Sequence, residues 1–147
     1  MTSTRGDVSS YQRLLLEHYR RPRNRGQLAA PTHQSAQSNR LCGDEVSVQC
    51  RVQDGVLAEV AFDGRACSVS QASASLMTEA VRRLSVGSAL TLADAFAARL
   101  NGRSAPASEP ALGELEGLLQ VSQFPARITC ALLPWKALVA ALEQPHP

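Results

Sequence analysis

The sequence carries almost no net charge. Its 15 Lys and Arg stand against 13 Asp and Glu, leaving +2 over 147 residues, whereas phosphate binding normally shows as a much higher charge or one concentrated basic face. The balance therefore points away from a nucleic-acid partner. Long apolar runs are lacking too: nothing approaches the roughly 18 consecutive apolar residues that span a bilayer. The opening MTSTRGDVSSYQ also lacks the apolar middle of a secretory signal. These absences lead to the expectation of a cytoplasmic chain with no membrane partner. Histidine is scarce: His18, His33 and His146 each stand apart from every cysteine, which argues against a mixed Cys/His metal shell. No internal repeat and no CxxC pair occurs. A chain of this length fits one domain, so residues 1–147 are expected to form a single unit, with an N-terminal helix and linker, about residues 1–40, partly mobile.

What is present is periodic. After Ser9 and Ser10, YQRLLLEHYRR places Leu14, Leu15, His18 and Tyr19 on one helical face, and Pro22 with Gly26 ends the pattern. Arg20, Arg21, Arg23 and Arg25 gather at this helix end, where cations are favoured; the alternative is a docking patch for an acidic partner surface. RGQLAAPTHQSAQSN then reads as an extended or mobile linker. EVSVQCRV alternates strictly, so Val46, Val48, Cys50 and Val52 face one side of a strand. The turn QDGV leads into a second strand with Val56, Ala58, Val60 and Phe62 on one face, which predicts a hairpin.

A helix is predicted just after Cys67, with Val69, Ala72, Leu76, Ala80 and Leu84 at helical spacing and Gly87 closing it. Thr91 and Asp94 form a capping-box pattern before LADAFAARL, Asn101-Gly102 stops that helix, and RSAPASEPA reads as a surface loop. LGELEGLLQV predicts a short helix. SQFPARITC reads as irregular and then extended, before a terminal helix in PWKALVAALEQ with Pro134 in its first turn.

The four cysteines differ in setting. Cys42 lies in the turn Leu41-Cys42-Gly43-Asp44. Cys67 lies at a helix N-terminus, whose N–H groups favour a thiolate. Cys130 lies just before the last predicted helix, while Cys50 is mid-strand with its side chain inward and reads as core. Thiols in a reducing compartment favour metal binding or sulfur chemistry over disulfides. Three cysteines and Asp44 would complete a tetrahedral shell of the kind zinc takes, and thiolate-rich shells also suit iron-sulfur clusters. By spacing alone, the same three cysteines read equally well as small core residues.

The segments LCGDEV, FDGRACSVSQASASLMTEAV and FPARITCALLPWKAL resemble the three ligand segments of the IscU/NifU-type iron-sulfur cluster assembly proteins, and HYRRPRNRG resembles their N-terminal segment. The resemblance spans nearly the whole chain. It is strongest to the SufU branch, given the long segment between Cys67 and Cys130 and Thr129 in place of the histidine that scaffold IscU proteins carry there. Relatives of the SufU branch usually carry lysine at that place. The resemblance implies an α+β fold, a small antiparallel β-sheet packed on one face by helices.

It also implies a zinc-dependent sulfurtransferase that accepts persulfide sulfur from a SufS-type cysteine desulfurase and serves a downstream cluster scaffold. The metal ligands carried over are Cys42, Asp44, Cys67 and Cys130. Cys42 is the sulfur acceptor, released when a histidine of the desulfurase takes its place on the metal. Arg127 resembles a family arginine and is expected to hydrogen-bond Asp44 or offset the charge of the shell. Two rivals share these residues: a scaffold on which a [2Fe-2S] cluster assembles, and a purely structural zinc module.

Overall fold

The computed structural model describes residues 8–103 and 110–144. The start of the chain, most of the RSAPASEPA loop and His146 lie outside the described residues. Three strands form one antiparallel sheet in the order β1 (His33–Asn39), β2 (Asp44–Gln53) and β3 (Val56–Arg65). Four α-helices complete the described fold: α1 (Val8–Arg20), α2 (Ser68–Val81), α3 (Val86–Leu100) and α4 (Pro125–Glu143). A 3-10 helical stretch, Gly113–Gln123, precedes α4.

The α+β architecture follows from where apolar side chains fall. Along β2, Val46, Val48 and Cys50 are buried, while Glu45 and the polar residues alternating with them face outward. Helix α4 covers β1 and β2, and α2 packs against β3, α1 and α4. The outer face keeps polar cross-strand pairs, among them Arg51 to Glu59 at 2.7 Å and Gln49 to Gln34 at 3.0 Å, as expected of an antiparallel sheet with one solvated face.

Helix α2 explains how the layers approach so closely. Half of the packed positions of SVSQASASLMTEAV are Ser or Ala, and Ser70, Ser73, Ser75 and Thr78 are all buried. Each of these hydroxyls is partnered, as burial requires. Ser73 Oγ donates to the Ala131 carbonyl of α4 at 2.6 Å and accepts from the Trp135 indole N–H at 3.1 Å. Ser75 Oγ lies 2.7 Å from His18 Nδ1 of α1 and accepts from the Arg23 N–H at 2.8 Å. Trp135 is thereby a core residue, its ring 5.1 Å from that of Phe96.

Several expectations are revised. The segment read as a linker contains β1, which pairs with β2 from His33↔Cys50 to Asn39↔Asp44. Its approach is tied down as well, with Gly26 N–H on the Phe62 carbonyl and Thr32 N–H on the Cys50 carbonyl, both at 2.8 Å. In α1 the buried residues are Tyr11 and His18, with Leu14 and Leu15 packed behind them, while Tyr19 is exposed. Arg23 and Arg25 are engaged within the chain, on Glu17 and Asp63.

In β3, a register shift at Arg51/Val52 puts Leu57 into the core in place of Ala58 and Val56. Helix α3 begins at Val86 with Ser85 as its cap, accepting from Ser88 N–H at 3.0 Å. Thr91 is thus inside the helix, its hydroxyl on the Gly87 carbonyl, and Gly87 opens α3 instead of closing α2.

Helix α4 starts nine residues before Pro134, at Pro125 in its first turn. Its length and composition would suffice to cross a membrane. The apolar character has a packing cause: Ala131, Leu133, Trp135, Ala137, Leu138 and Ala141 are buried against the rest of the fold.

Candidate metal centre

The site forms where four element ends meet. Residues 40–43 close the β1–β2 hairpin, and Gly43 takes φ 70°, the left-handed region open to glycine at low cost. This turn leaves Cys42 exposed at the tip and sends Asp44, the first residue of β2, inward to 5% exposure. Asn39 shapes the tip: its Oδ1 accepts from Leu41 N–H at 3.1 Å, and its Nδ2 donates to Cys42 Sγ at 3.6 Å.

Cys67 is the N-cap of α2, as its position after the hairpin predicted. The chain reaches it through Gly64, where φ is 131° and a Cβ would fall on the Glu45 carbonyl oxygen. Only glycine lets the end of β3 lie that close to the start of β2, and so brings Cys67 beside Asp44. Cys130 was expected before the last helix. It lies inside α4, 1% exposed, because the helix begins at Pro125.

Cys42, Asp44 and Cys130 each offer one ligand atom, all within 4.8 Å of one another. The Cys42 and Cys130 sulfurs are 4.0 Å apart. Two sulfurs on a tetrahedral zinc, with bonds of about 2.3 Å, stand roughly 3.8 Å apart, so the donor set and spacing fit that ion. Cys67 is not in the triplet but adjoins it. Its backbone N–H donates to Asp44 Oδ1 at 3.1 Å, and its thiol donates to Ser70 Oγ at 3.7 Å. Burial pushes the Cys130 thiol up, and the neighbouring Cys67 and Cys42, by charge and hydrogen bond, push it the same way. That crowding of thiols is what a cation would relieve.

Cys50 takes no part: it is fully buried in β2, and burial alone pushes its thiol up to about 12. Neither His18 nor His33 joins the cluster; His18 binds Ser75, and His33 Nδ1 lies 2.8 Å from Thr32 Oγ1. The expectation for Arg127 is corrected in part. Among the described residues Asp44 takes its side-chain hydrogen bonds from Cys67 N–H and the Ser70 hydroxyl, not from Arg127. Arg127 is exposed in the first turn of α4, and its charge acts on Tyr11. Thr129 is exposed beside it.

Three residues at the site escaped the sequence reading. Ser70 lies one helical turn after Cys67 and Asn39 three residues before Cys42, and neither is marked by a periodic pattern. Tyr11 is buried on α1, its hydroxyl held up in pKa chiefly by burial, with Arg127 lowering it and Cys67 raising it. The spacing of Tyr11 to Leu14, Leu15 and His18 was the available signal.

Residues 10–131 match the model of the NifU-like N-terminal domain. The chain is 37% identical to the zinc-dependent sulfurtransferase SufU of Bacillus subtilis over 128 residues, covering 87% of this chain and 86% of that one. It is also 37% identical to the iron-sulfur cluster assembly scaffold protein IscU of Streptococcus pyogenes over 134 residues, 91% of this chain and 83% of that one. Among solved structures it is similar to the N-terminal part of a nitrogen-fixing NifU-like protein from Brucella abortus, with a TM-score of 0.80 at 25% identity over 95% of both chains. It is similar too to a Fervidobacterium islandicum protein provisionally assigned as an iron-sulfur cluster assembly scaffold for the SUF system. There the TM-score is 0.84 at 26% identity, covering 92% of this chain and 98% of that one.

Proposed function

Because this chain belongs to the NifU-like N-terminal domain family, we propose that it is a zinc-dependent sulfurtransferase of iron-sulfur cluster biogenesis. It accepts persulfide sulfur from a cysteine desulfurase of the SufS type and works in the cytoplasm. The observation that carries this reading is the convergence of exposed Cys42 with buried Asp44 and Cys130, Cys67 adjoining them. Cys42, Asp44, Cys67 and Cys130 are the residues that would hold the metal. Zinc in such a shell holds thiols as thiolates at neutral pH without changing oxidation state.

The chain's own residues divide the work by exposure. Asp44 and Cys130 are fixed in the core layer, and Cys67 caps α2. Cys42 sits at a hairpin tip that a partner surface can reach. Its thiolate attacks the terminal sulfur of the partner's persulfide. A new S–S bond forms at Cys42 as the partner's S–S bond breaks, and the electron pair departs with the partner's cysteine thiolate, so no outside oxidant or reductant is required.

The test is metal analysis of anaerobically purified protein coupled to a desulfurase assay. One tightly held zinc per chain and stimulation of the desulfurase support the reading. A cluster absorbing in the visible and transferable to an apo acceptor would assign the same residues to a [2Fe-2S] scaffold instead; the Streptococcus relative is named an iron-sulfur cluster assembly scaffold protein.

A further inference from the structure

Pro134 lies inside α4. Proline has no N–H, so the carbonyl four residues earlier loses its helical partner, and the ring crowds that carbonyl outward. The carbonyl in question belongs to Cys130. Its hydrogen bond comes instead from α2: Ser70 Oγ lies 2.8 Å from the Cys130 oxygen. The same Oγ is 3.2 Å from Asp44 Oδ2 and accepts from the Cys67 thiol at 3.7 Å. Ser70 is fully buried. One hydroxyl thus touches three of the four residues that converge here, one in each of β2, the α2 cap and α4.

We propose that Ser70 is a positioning residue of the metal centre. It holds the Asp44 carboxylate and the Cys130 turn of α4 at a fixed separation, so that the ligand atoms are placed before the metal arrives. This rests on the zinc reading above. The chemistry is that of a hydroxyl with one proton and two lone pairs. The proton serves either the Cys130 carbonyl or Asp44 Oδ2, and a lone pair receives the Cys67 thiol proton. Asp44 Oδ1 is already held by Cys67 N–H at 3.1 Å; with the Ser70 proton on Oδ2 the carboxylate is held at both oxygens, and with it on the Cys130 carbonyl Oδ1 alone is held. Groups that orient a ligand in this way typically account for about 10–100-fold in metal affinity.

The fold supplies its own control. Ser73, three residues along the same helix, makes the same type of bond, Oγ to the Ala131 carbonyl of α4 at 2.6 Å. It has no hydrogen bond to Asp44 or to a cysteine among the described residues. Zinc dissociation constants are measured by competition with a chromophoric chelator, and cobalt is substituted to read thiolate ligation in the visible spectrum. Both are applied to the full chain, Ser70→Ala, Ser73→Ala and Ser70→Thr.

Ser70→Ala is expected to weaken zinc by about 10–100-fold and to alter the cobalt spectrum. Ser73→Ala should hold zinc like the unaltered chain, and Ser70→Thr, which keeps the hydroxyl, should recover most of the affinity. Equal affinity in Ser70→Ala and the unaltered chain would overturn the proposal. So would an equal loss in Ser73→Ala, which would trace the effect to helix packing. A Ser70→Ala chain that fails to fold where Ser73→Ala folds would assign the hydroxyl to the fold and overturn it as well. If the unaltered chain shows no thiolate-ligated cobalt, the zinc reading itself falls, and this inference with it.

Discussion

The sulfurs of Cys42 and Cys130 lie 4.0 Å apart although the residues are 88 positions apart in the chain. One sits on an exposed hairpin tip and the other inside a helix. That asymmetry makes accessible and inaccessible thiols separable by alkylation. In the metal-free chain near neutral pH, iodoacetamide is expected to modify Cys42 first. Cys50, fully buried and with its thiol pushed up to about 12, should react only on unfolding, because the thiolate is the reacting form. Peptide mapping of the alkylated sites checks the order; early labelling of Cys50 would contradict it.

Substituting Cys50 tests its placement in the core from the other side. Cys50→Ser puts a hydroxyl where burial gives it no evident partner, which costs about 1–3 kcal/mol. Metal content per folded chain should stay unchanged. Urea unfolding with metal analysis reads both quantities, and a loss of metal would make Cys50 part of the site.

Gly64 combines a positive φ with contact against the Glu45 backbone. Backbone cannot move aside as a side-chain end can, so Gly64→Ala should destabilise by roughly 2–4 kcal/mol. It should also displace Cys67 from Asp44, so metal affinity falls together with the urea midpoint. A variant as stable as the original would show that β3 can leave β2 by another path.

His18 gives a pH dependence whose direction is fixed by its surroundings. Burial lowers its pKa most, and Arg23 adds to that, while Glu114, Glu17 and Glu79 pull the other way without reversing it. The unfolded chain therefore takes up a proton near pH 6.5 that the folded chain refuses. The stability is complete above the unfolded value and is lost as pH falls through it toward the folded value. Urea midpoints should fall between about pH 7.5 and about pH 5.5 more steeply than in His18→Asn, where other groups still titrate but this one is gone. Equal slopes would remove His18 from the account.

The sequence made the hairpin, the start of α2 and the candidate site residues legible, since alternation in EVSVQCRV and the position of Cys67 each carry a local signal. It concealed β1 because HQSAQSN is an edge strand with no apolar face, held by backbone pairing to β2. It misplaced the start of α4 because Pro134 looks like a helix beginning; the Cys130 carbonyl, which the proline leaves without a helical partner, lies 2.8 Å from Ser70 Oγ of α2. The shift of Leu57 into the core comes from one bulge, which a periodicity of two cannot anticipate. Ser70 was invisible for a related reason: a serine in a Ser/Ala-rich helix looks like packing until its neighbours across the chain are known.

The most direct test of the account is to charge a cysteine desulfurase with sulfur, present it to the zinc-loaded chain, and map added sulfur on each cysteine by mass spectrometry. One extra sulfur atom on Cys42, absent from Cys50 and lost in Cys42→Ala, is the predicted result. Sulfur carried equally well by Cys42→Ala, or accumulating on Cys67 or Cys130 with Cys42 unmodified, would contradict it.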